Sequence, residues 1–132
     1  MLMTASSLST SPGSDRKPTV IDDQHLESMT LGDRRLEREV LEIFVRQTAI
    51  MLDRIVAAQP ARAAAAAHTL TGSARGIGAW RVARAAELLE HAAGKKVLGD
   101  VAVEDLSEAV AELKAASLEA CAAIGARLSG LG

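Results

Sequence analysis

The stretch that decides the fold is Ala63-Ala64-Ala65-Ala66-Ala67-His68-Thr69-Leu70-Thr71-Gly72-Ser73-Ala74-Arg75-Gly76-Ile77-Gly78-Ala79. It begins with alanines, which have the strongest helix preference, and it ends in glycines, which terminate helices and permit a tight reversal. At about 100° per residue, one apolar stripe forms along the helix. Its members are Ala63, Ala66, Ala67, Leu70 and Ala74. His68 falls roughly 140° from the centre of that stripe and is predicted to face solvent.

Small residues surround the predicted position of His68 on the outer face of this helix. They are Ala64, Ala65, Thr71 and Gly72. Glycine inside a helix costs about 1 kcal/mol relative to alanine, so Gly72 indicates that side-chain volume is unwelcome next to the histidine. An isolated histidine on a helix is more often an ordinary surface residue, and that alternative stays open. The pattern favours a reactive imidazole that is presented to a large partner.

The motif His68-x-Leu70-x-Gly72-Ser73, followed by Gly78-Ala79 and Leu89-Glu90, resembles the signature of histidine-containing phosphotransfer (HPt) domains. The resemblance runs from about Ile21 to the C-terminus. It implies that His68 accepts a phosphoryl group from a receiver-domain aspartate in a multistep phosphorelay and passes it to another receiver. The receiver of a hybrid histidine kinase is one candidate partner.

One position departs from the family pattern. The family has a lysine three residues after the histidine, and here that position is Thr71. Arg75, expected on the same face as His68, is the candidate replacement that stabilises the phosphoryl group. Thr71 also supports the alternative function, a non-catalytic helical adaptor that binds receiver or kinase domains without carrying phosphate.

The resemblance implies a phosphoryl carrier without an ATP site of its own, rather than an enzyme. No cofactor is expected on the chain, because the divalent metal ion of the transfer belongs to the partner receiver. The glycine-rich stretch Gly72–Gly78 does not predict a nucleotide site, since it lacks a lysine followed by serine or threonine and no strand precedes it. Glu87 and His91 lie one turn apart, but a helix-bundle metal site needs a second such pair, so no metal site is predicted.

A carboxylate is predicted opposite His68. The helices on either side of the Gly76–Gly78 turn should run antiparallel, which places His68 across from Glu87 to Glu90. A carboxylate there can accept a hydrogen bond from Nδ1–H and leave Nε2 free as the nucleophile. Glu90 stands at the family's Glu/Gln position and is therefore favoured over Glu87, with an ordinary solvated glutamate as the alternative.

Three apolar residues are candidates for a docking patch around the histidine. They are Leu31, Ile77 and Trp80. A receiver needs such a surface, because phosphoryl transfer depends mainly on alignment. The alternative is that these residues simply close the end of the bundle.

The composition of the chain argues against several other classes of function. The 132 residues carry a net charge of −2 with 2% aromatic residues, which argues against nucleic-acid binding. The single cysteine, Cys121, fits a reducing compartment and is predicted to be a small buried residue. No secretory signal is recognised and no run approaches 18 apolar residues, so we expect no membrane span and a cytoplasmic location. A monomer is expected, since it leaves His68 most accessible.

The predicted fold is an all-α antiparallel four-helix bundle with a short extra helix at its N-terminus. Residues 1–19 are rich in Ser, Thr and Pro and are predicted to form a flexible tail, and residues 20–132 the bundle domain. The predicted helices run from Asp22 or Asp23 to Met29, from Arg34 to Ala57, from about Pro60 to the glycines, from Ala79 to Ala93 and from Val103 to Leu128. Gly94–Asp100 is predicted to connect the last two helices.

Apolar spacing predicts which residues of the helices before and after the His68 helix face inward. In the first two helices these are Leu26, Met29, Leu36, Val40, Ile43, Phe44, Met51, Leu52, Ile55 and Val56. In the last two they are Val82, Ala85, Ala86, Leu89, Leu106, Val110, Leu113, Ala120, Ile124 and Leu128. Glu37 is expected on the solvated face of the second helix.

Overall fold

The computed structural model describes residues 20–57, 59–97 and 103–130. Within these ranges the chain forms five helices and no strand. The helices are α1 (Asp23–Met29), α2 (Arg34–Ala57), α3 (Pro60–Ile77), α4 (Trp80–Val97) and α5 (Val103–Gly130). The predicted tail, residues 1–19, lies outside the described residues, and the division of the chain at residue 20 stays a prediction.

Each of the four long helices packs against two of the others. α2 packs against α3 and α5, and α4 packs against the same two helices from the opposite side. The short α1 lies against α3 at the end of the bundle where α3 turns into α4. The all-α helical bundle with an extra N-terminal helix is therefore confirmed.

Capping residues begin and end most of these helices where the sequence predicts. Asp22 caps α1 by accepting from the His25 backbone N–H at 3.1 Å. The Oδ1 atom of Asp33 accepts from the backbone N–H groups of Arg35 and Leu36 at the start of α2. Pro60 occupies the first turn of α3.

The predicted connection Gly94–Asp100 is wrong in its first part, because α4 continues to Val97. A glycine within a helix costs only about 1 kcal/mol, and the lysines that follow are good helix formers. The buried Ala93 also holds this part of α4 against the bundle. Residues 98–100 lie outside the described residues.

Alanines make up much of the buried surface of α3 and α4. The stripe predicted on α3 is buried throughout, as is the stripe predicted on α4. The buried alanines of the two helices are Ala63, Ala66, Ala67, Ala74, Ala83, Ala85, Ala86 and Ala93. Side chains this short allow helix axes to approach at the lower end of the usual range of about 8–10 Å. α3 and α4 share the most extensive contact of any two helices in the described ranges.

The inward face predicted for α2 is only partly right. Phe44, Met51 and Ile55 are buried, but the core also takes Leu41, which the prediction omitted. Leu36, Ile43 and Val56 are exposed instead, and so is Met29 of α1. The cause is that α2 carries apolar residues on two sides, and spacing alone does not say which side faces α3 and α5.

Glu37 is buried rather than solvated, because an arginine from α5 covers it. The Nε atom of Arg127 donates to Glu37 Oε2 at 3.0 Å, and Arg127 also pairs with Asp23 of α1. The hydrogen bond to Glu37 is the main cause that raises the pKa of Arg127 above its usual value. These contacts join α1, α2 and α5 at one end of the bundle.

Gly78 ends α3 at a crowded junction. It adopts a left-handed conformation with φ +78°, and its carbonyl accepts from the Asp22 backbone N–H at 2.9 Å. A Cβ atom at Gly78 would lie 2.8 Å from the Cβ of Asp22. The Asp22 carboxylate in turn accepts from Trp80 Nε1 at 2.9 Å, and this bond is the main cause that lowers the pKa of Asp22. The junction therefore admits only glycine.

We expect Gly78→Ala to destabilise the fold by about 1–3 kcal/mol, because it adds left-handed strain and a steric clash with Asp22. Urea denaturation followed by circular dichroism measures the change. Gly94→Ala is the matched control: a Cβ atom there meets nothing within 4 Å, so stability should rise by about 0.5–1 kcal/mol. Equal stability of Gly78→Ala and the natural chain would contradict this account of the junction.

Candidate functional site

His68 lies in the middle of α3 with its side chain 75% exposed. Its helix neighbours Ala67 and Leu70 are buried, so the helix rotation turns the imidazole outward. The Nδ1 atom lies 2.9 Å from Oε2 of Glu90 on α4. Among the described residues, no side chain or backbone group forms a hydrogen bond with Nε2. One ring nitrogen is thus held by a carboxylate, and the other faces solvent.

The contact between His68 and Glu90 follows from the packing of the two helices. α3 and α4 are joined at Gly78 and run antiparallel, so residues at similar distances from the turn lie side by side. With Nδ1 protonated, the imidazole donates to the carboxylate and Nε2 carries a free lone pair. Glu87, the other carboxylate considered from the sequence, faces Arg75 instead. The assignment of an orienting role to Glu90 stays a prediction.

Small exposed residues border His68 on one side only. Ala65 and Gly72 are exposed and Ala64 is half-buried. Thr71 was predicted on the outer face, but it is buried and its hydroxyl donates to the Ala67 carbonyl at 2.9 Å. The prediction was wrong because α4 covers this side of α3.

Within the described part of the chain, no packing contact requires a glycine at position 72. A Cβ atom built at this position meets nothing within 4 Å. Its backbone is an ordinary helix interior, where alanine is more favourable by about 1 kcal/mol. The absence of a side chain at Gly72 therefore leaves open surface beside His68 without improving the core.

Arg75 forms an ion pair with the neighbouring helix. Its Nη2 atom donates to Glu87 Oε2 at 2.9 Å, and both side chains are more than half exposed. Pairs this exposed contribute about 0–1 kcal/mol, so the arginine can exchange partners at little cost. With Thr71 buried, no cation occupies the position of the family's lysine.

The predicted docking patch is corrected in part. Ile77 is only 5% exposed and belongs to the core, so it closes the bundle end. Trp80 is partly exposed, but its indole donates to Asp22 and its ring lies 4.9 Å from that of His25. Leu31 is 88% exposed and has a positive φ of 56°. Trp80 follows the end of α3, and that end lies roughly 15 Å from His68 along the helix axis. Leu31 lies in the connection between α1 and α2.

A larger apolar surface lies on α2, and the sequence prediction assigned part of it to the core. We call Leu36, Ile43 and Ile50 the α2 ridge; Ile43 and Ile50 are 47% and 49% exposed. The seven-residue spacing of these three residues is the signal that could have identified an outward stripe.

The α2 ridge lies beside a line of small residues on α3. We call this line the α3 strip, and it consists of Ala65, Thr69, Gly72 and Gly76. The hydroxyl of Ser73 donates to Gln47 Oε1 of α2 at 2.8 Å and joins the two helices at this boundary. Moving outward from His68, the surface therefore passes over the α3 strip to the α2 ridge.

The described residues contain no cluster of three or more His, Cys, Asp or Glu side chains suited to a metal ion. None of the helices in those ranges is both long enough and apolar enough to cross a membrane. Cys121 is partly buried, and burial raises the pKa of its thiol.

A family model described as Hpt domain matches residues 39–122, which reach from α2 to α5 and include His68, Gly72 and Glu90. The chain belongs to the Hpt family. No curated protein and no solved structure matches it. Hpt domains are phosphotransfer carriers of phosphorelays, not ATP-dependent kinases, and they interact with receiver domains. The resemblance seen in the sequence is thus confirmed, together with a general role as a phosphocarrier.

We expect Glu90→Ala to change the tautomer of His68, because the carboxylate that accepts from Nδ1–H is removed. The ¹⁵N chemical shifts of the imidazole at alkaline pH measure the tautomer directly. In the natural Hpt domain the Nδ1–H form should dominate, and in the variant the Nε2–H form should increase. Glu87→Ala, which breaks the pair with Arg75, is the control and should leave the tautomer unchanged. Identical shifts in the natural chain and Glu90→Ala would rule out an orienting role.

Proposed function

We propose that His68 is the phosphorylated residue of this Hpt domain, which accepts a phosphoryl group from a receiver aspartate and passes it to a second receiver. The observation that carries the proposal is the exposure and hydrogen bonding of the His68 imidazole. His68 is largely exposed, its Nδ1 contacts a carboxylate, and its Nε2 faces solvent. An imidazole held in this way has the nucleophilic lone pair directed toward an incoming partner.

The transfer is a displacement at phosphorus. The Nε2 lone pair of His68 attacks the phosphorus of the aspartyl phosphate as the P–O bond to the receiver carboxylate breaks, and the electron pair leaves with that carboxylate. The imidazole gains positive charge, and the Nδ1–H bond to Glu90 becomes charge-assisted and stronger. The reverse displacement by a second aspartate regenerates neutral His68. The divalent metal ion of both steps belongs to the receivers, so the proposal assigns the chain no cofactor.

Arg75 is the proposed cation of the site. A phosphoryl group on His68 adds negative charge close to the Arg75–Glu87 pair, and the arginine then moves from Glu87 toward the phosphate. This exchange supplies the charge that lysine provides elsewhere in the family. The alternative, an adaptor that does not carry phosphate, is favoured by one observation: Thr71 is buried and uncharged.

The receiver is proposed to dock over the α3 strip and the α2 ridge. On the α4 side, His68 is flanked by Glu90 and by the Arg75–Glu87 pair. On the α2 side it is flanked by small residues and then by exposed Leu and Ile side chains, whose burial favours association. Leu31, the exposed docking candidate between α1 and α2, is proposed to belong to the same surface.

The form proposed to exchange phosphate is a monomer in the cytoplasm. A monomer leaves the α3 strip and the α2 ridge open to a receiver. The receiver of a hybrid histidine kinase is the proposed donor, because the proposed transfer to His68 starts from the aspartyl phosphate of a receiver.

Phosphoryl transfer from a panel of phosphorylated receivers should label the natural chain and should not label His68→Gln. The label should be labile in acid and stable in alkali, as expected of phosphohistidine. Binding of a receiver to both proteins, measured by calorimetry, is the control for folding and docking. Binding without any label on the natural chain would favour the adaptor. Label retained on His68→Gln would show that another residue is phosphorylated.

Ile43→Glu should weaken receiver binding by about tenfold or more, because it places a charge in the apolar part of the proposed docking surface. Leu118→Glu makes the same change at an exposed leucine of α5, away from His68, and should leave the affinity unchanged. Titration calorimetry with the receiver that labels the natural chain measures both. Equal affinities of the two variants would place the docking surface elsewhere.

A further inference from the structure

A line of charged residues runs along the outermost surface of α2, next to the α2 ridge. We call it the charged line, and it consists of Arg35, Glu39, Arg46 and Asp53, all exposed. Spacings of four and seven residues keep these side chains on one narrow strip of the helix. In the part of the chain that the structure describes, none of the four takes part in an intramolecular ion pair. Their signs alternate from positive to negative along the helix.

The charged line is complementary to itself when one copy is reversed. If a second α2 lies antiparallel about a twofold axis near Ile43, Arg35 faces Asp53 of the other copy and Glu39 faces its Arg46. Symmetry repeats each pairing, so every charge meets an opposite charge. A parallel copy in register would instead place like charges together, which is unfavourable.

The α2 ridge has the same symmetry. In the reversed arrangement Leu36 lies near Ile50 of the second copy, and Ile43 lies near its own equivalent on the axis. The ridge would then be covered by apolar side chains while the charged line pairs beside it. We propose that two copies of this chain associate through α2 as an antiparallel dimer.

The small area of the proposed α2–α2 interface indicates a weak dimer. From Leu36 to Ile50 the ridge extends about 21 Å along the helix axis. Three partly exposed apolar side chains per copy bury less surface than the roughly 1,200 Å² or more of a standard stable interface. Exposed ion pairs add little individually and are screened by salt. The dimer should consequently depend on protein concentration and weaken as ionic strength rises.

The proposed dimer covers the surface on which the receiver is proposed to dock. A chain bound to its own copy through the α2 ridge cannot place the same ridge against a receiver. Self-association would then reduce the fraction of Hpt domain that is free to exchange phosphate. This competition rests on the proposed function, whereas the dimer itself does not.

Sedimentation equilibrium of the full chain, from micromolar to millimolar concentration at low salt, tests the dimer. The average mass should rise from that of one chain toward that of two. Arg46→Glu places a carboxylate opposite Glu39 of the other copy and should raise the dissociation constant more than about tenfold. The double variant Glu39→Arg/Arg46→Glu exchanges the two charges and should restore the affinity. Leu118→Glu should have no effect, and circular dichroism should show unchanged helix content in every variant.

A single-chain mass at all concentrations would overturn the proposal, and so would a dimer that Arg46→Glu leaves unchanged. Failure of the double variant to recover would overturn the antiparallel arrangement. Labelling of the dilute natural chain by a phosphorylated receiver is scored separately. A chain that accepts label but stays a monomer at every concentration overturns the dimer alone, whereas a dimer that never accepts label in any dilution overturns the phosphotransfer function alone.

Discussion

The extensive contact between α3 and α4 is the constraint on which the rest of the structure depends. Alanines are frequent among the buried residues of both helices, and side chains this short permit a close approach. This contact places the Glu90 carboxylate 2.9 Å from the imidazole of His68. The Gly78 turn sets the register of the two helices, and the Asp22 junction fixes α1 against that turn. The geometry around His68 is thus a direct result of helix packing.

His68 consequently lies on a boundary between two unlike surfaces. On the α4 side, carboxylates and an arginine form a polar edge that is already paired. On the α2 side, the α3 strip and the α2 ridge carry no charged side chain. The first surface contains the hydrogen bond to the imidazole, and the second exposes apolar and small side chains to solvent. In the proposed function, chemistry and recognition are therefore separated across a single helix.

Much of this arrangement could be predicted from local sequence signals. Asp22, Asp33, Pro60 and Gly78 mark helix ends through their own backbone preferences, and the structure confirms each of them. The outward direction of His68 follows from the alanine register of α3, because one side of that helix is clearly more apolar. These signals depend on one helix at a time, which is why they succeed.

The failures occur where a neighbouring helix decides. α2 has apolar residues on two sides, so spacing assigns the exposed Leu36 and Ile43 to the core and omits the buried Leu41. Thr71 and Glu37 were placed in solvent, but α4 covers the first and Arg127 reaches the second from α5. Ile77 was considered for docking, but it is buried at the bundle end. Helix periodicity contains no information about these partners.

Gly72 is the position where helix stability and the proposed function make opposite demands. Nothing in the described structure restricts a side chain at this position, and alanine would favour the helix. A redesign guided by folding energy alone would therefore replace the glycine, and it would count the change as an improvement. The same change adds atoms beside the imidazole, on the surface over which a receiver is proposed to dock. Tolerance to mutation in the isolated chain is thus a poor guide to tolerance in the signalling pathway.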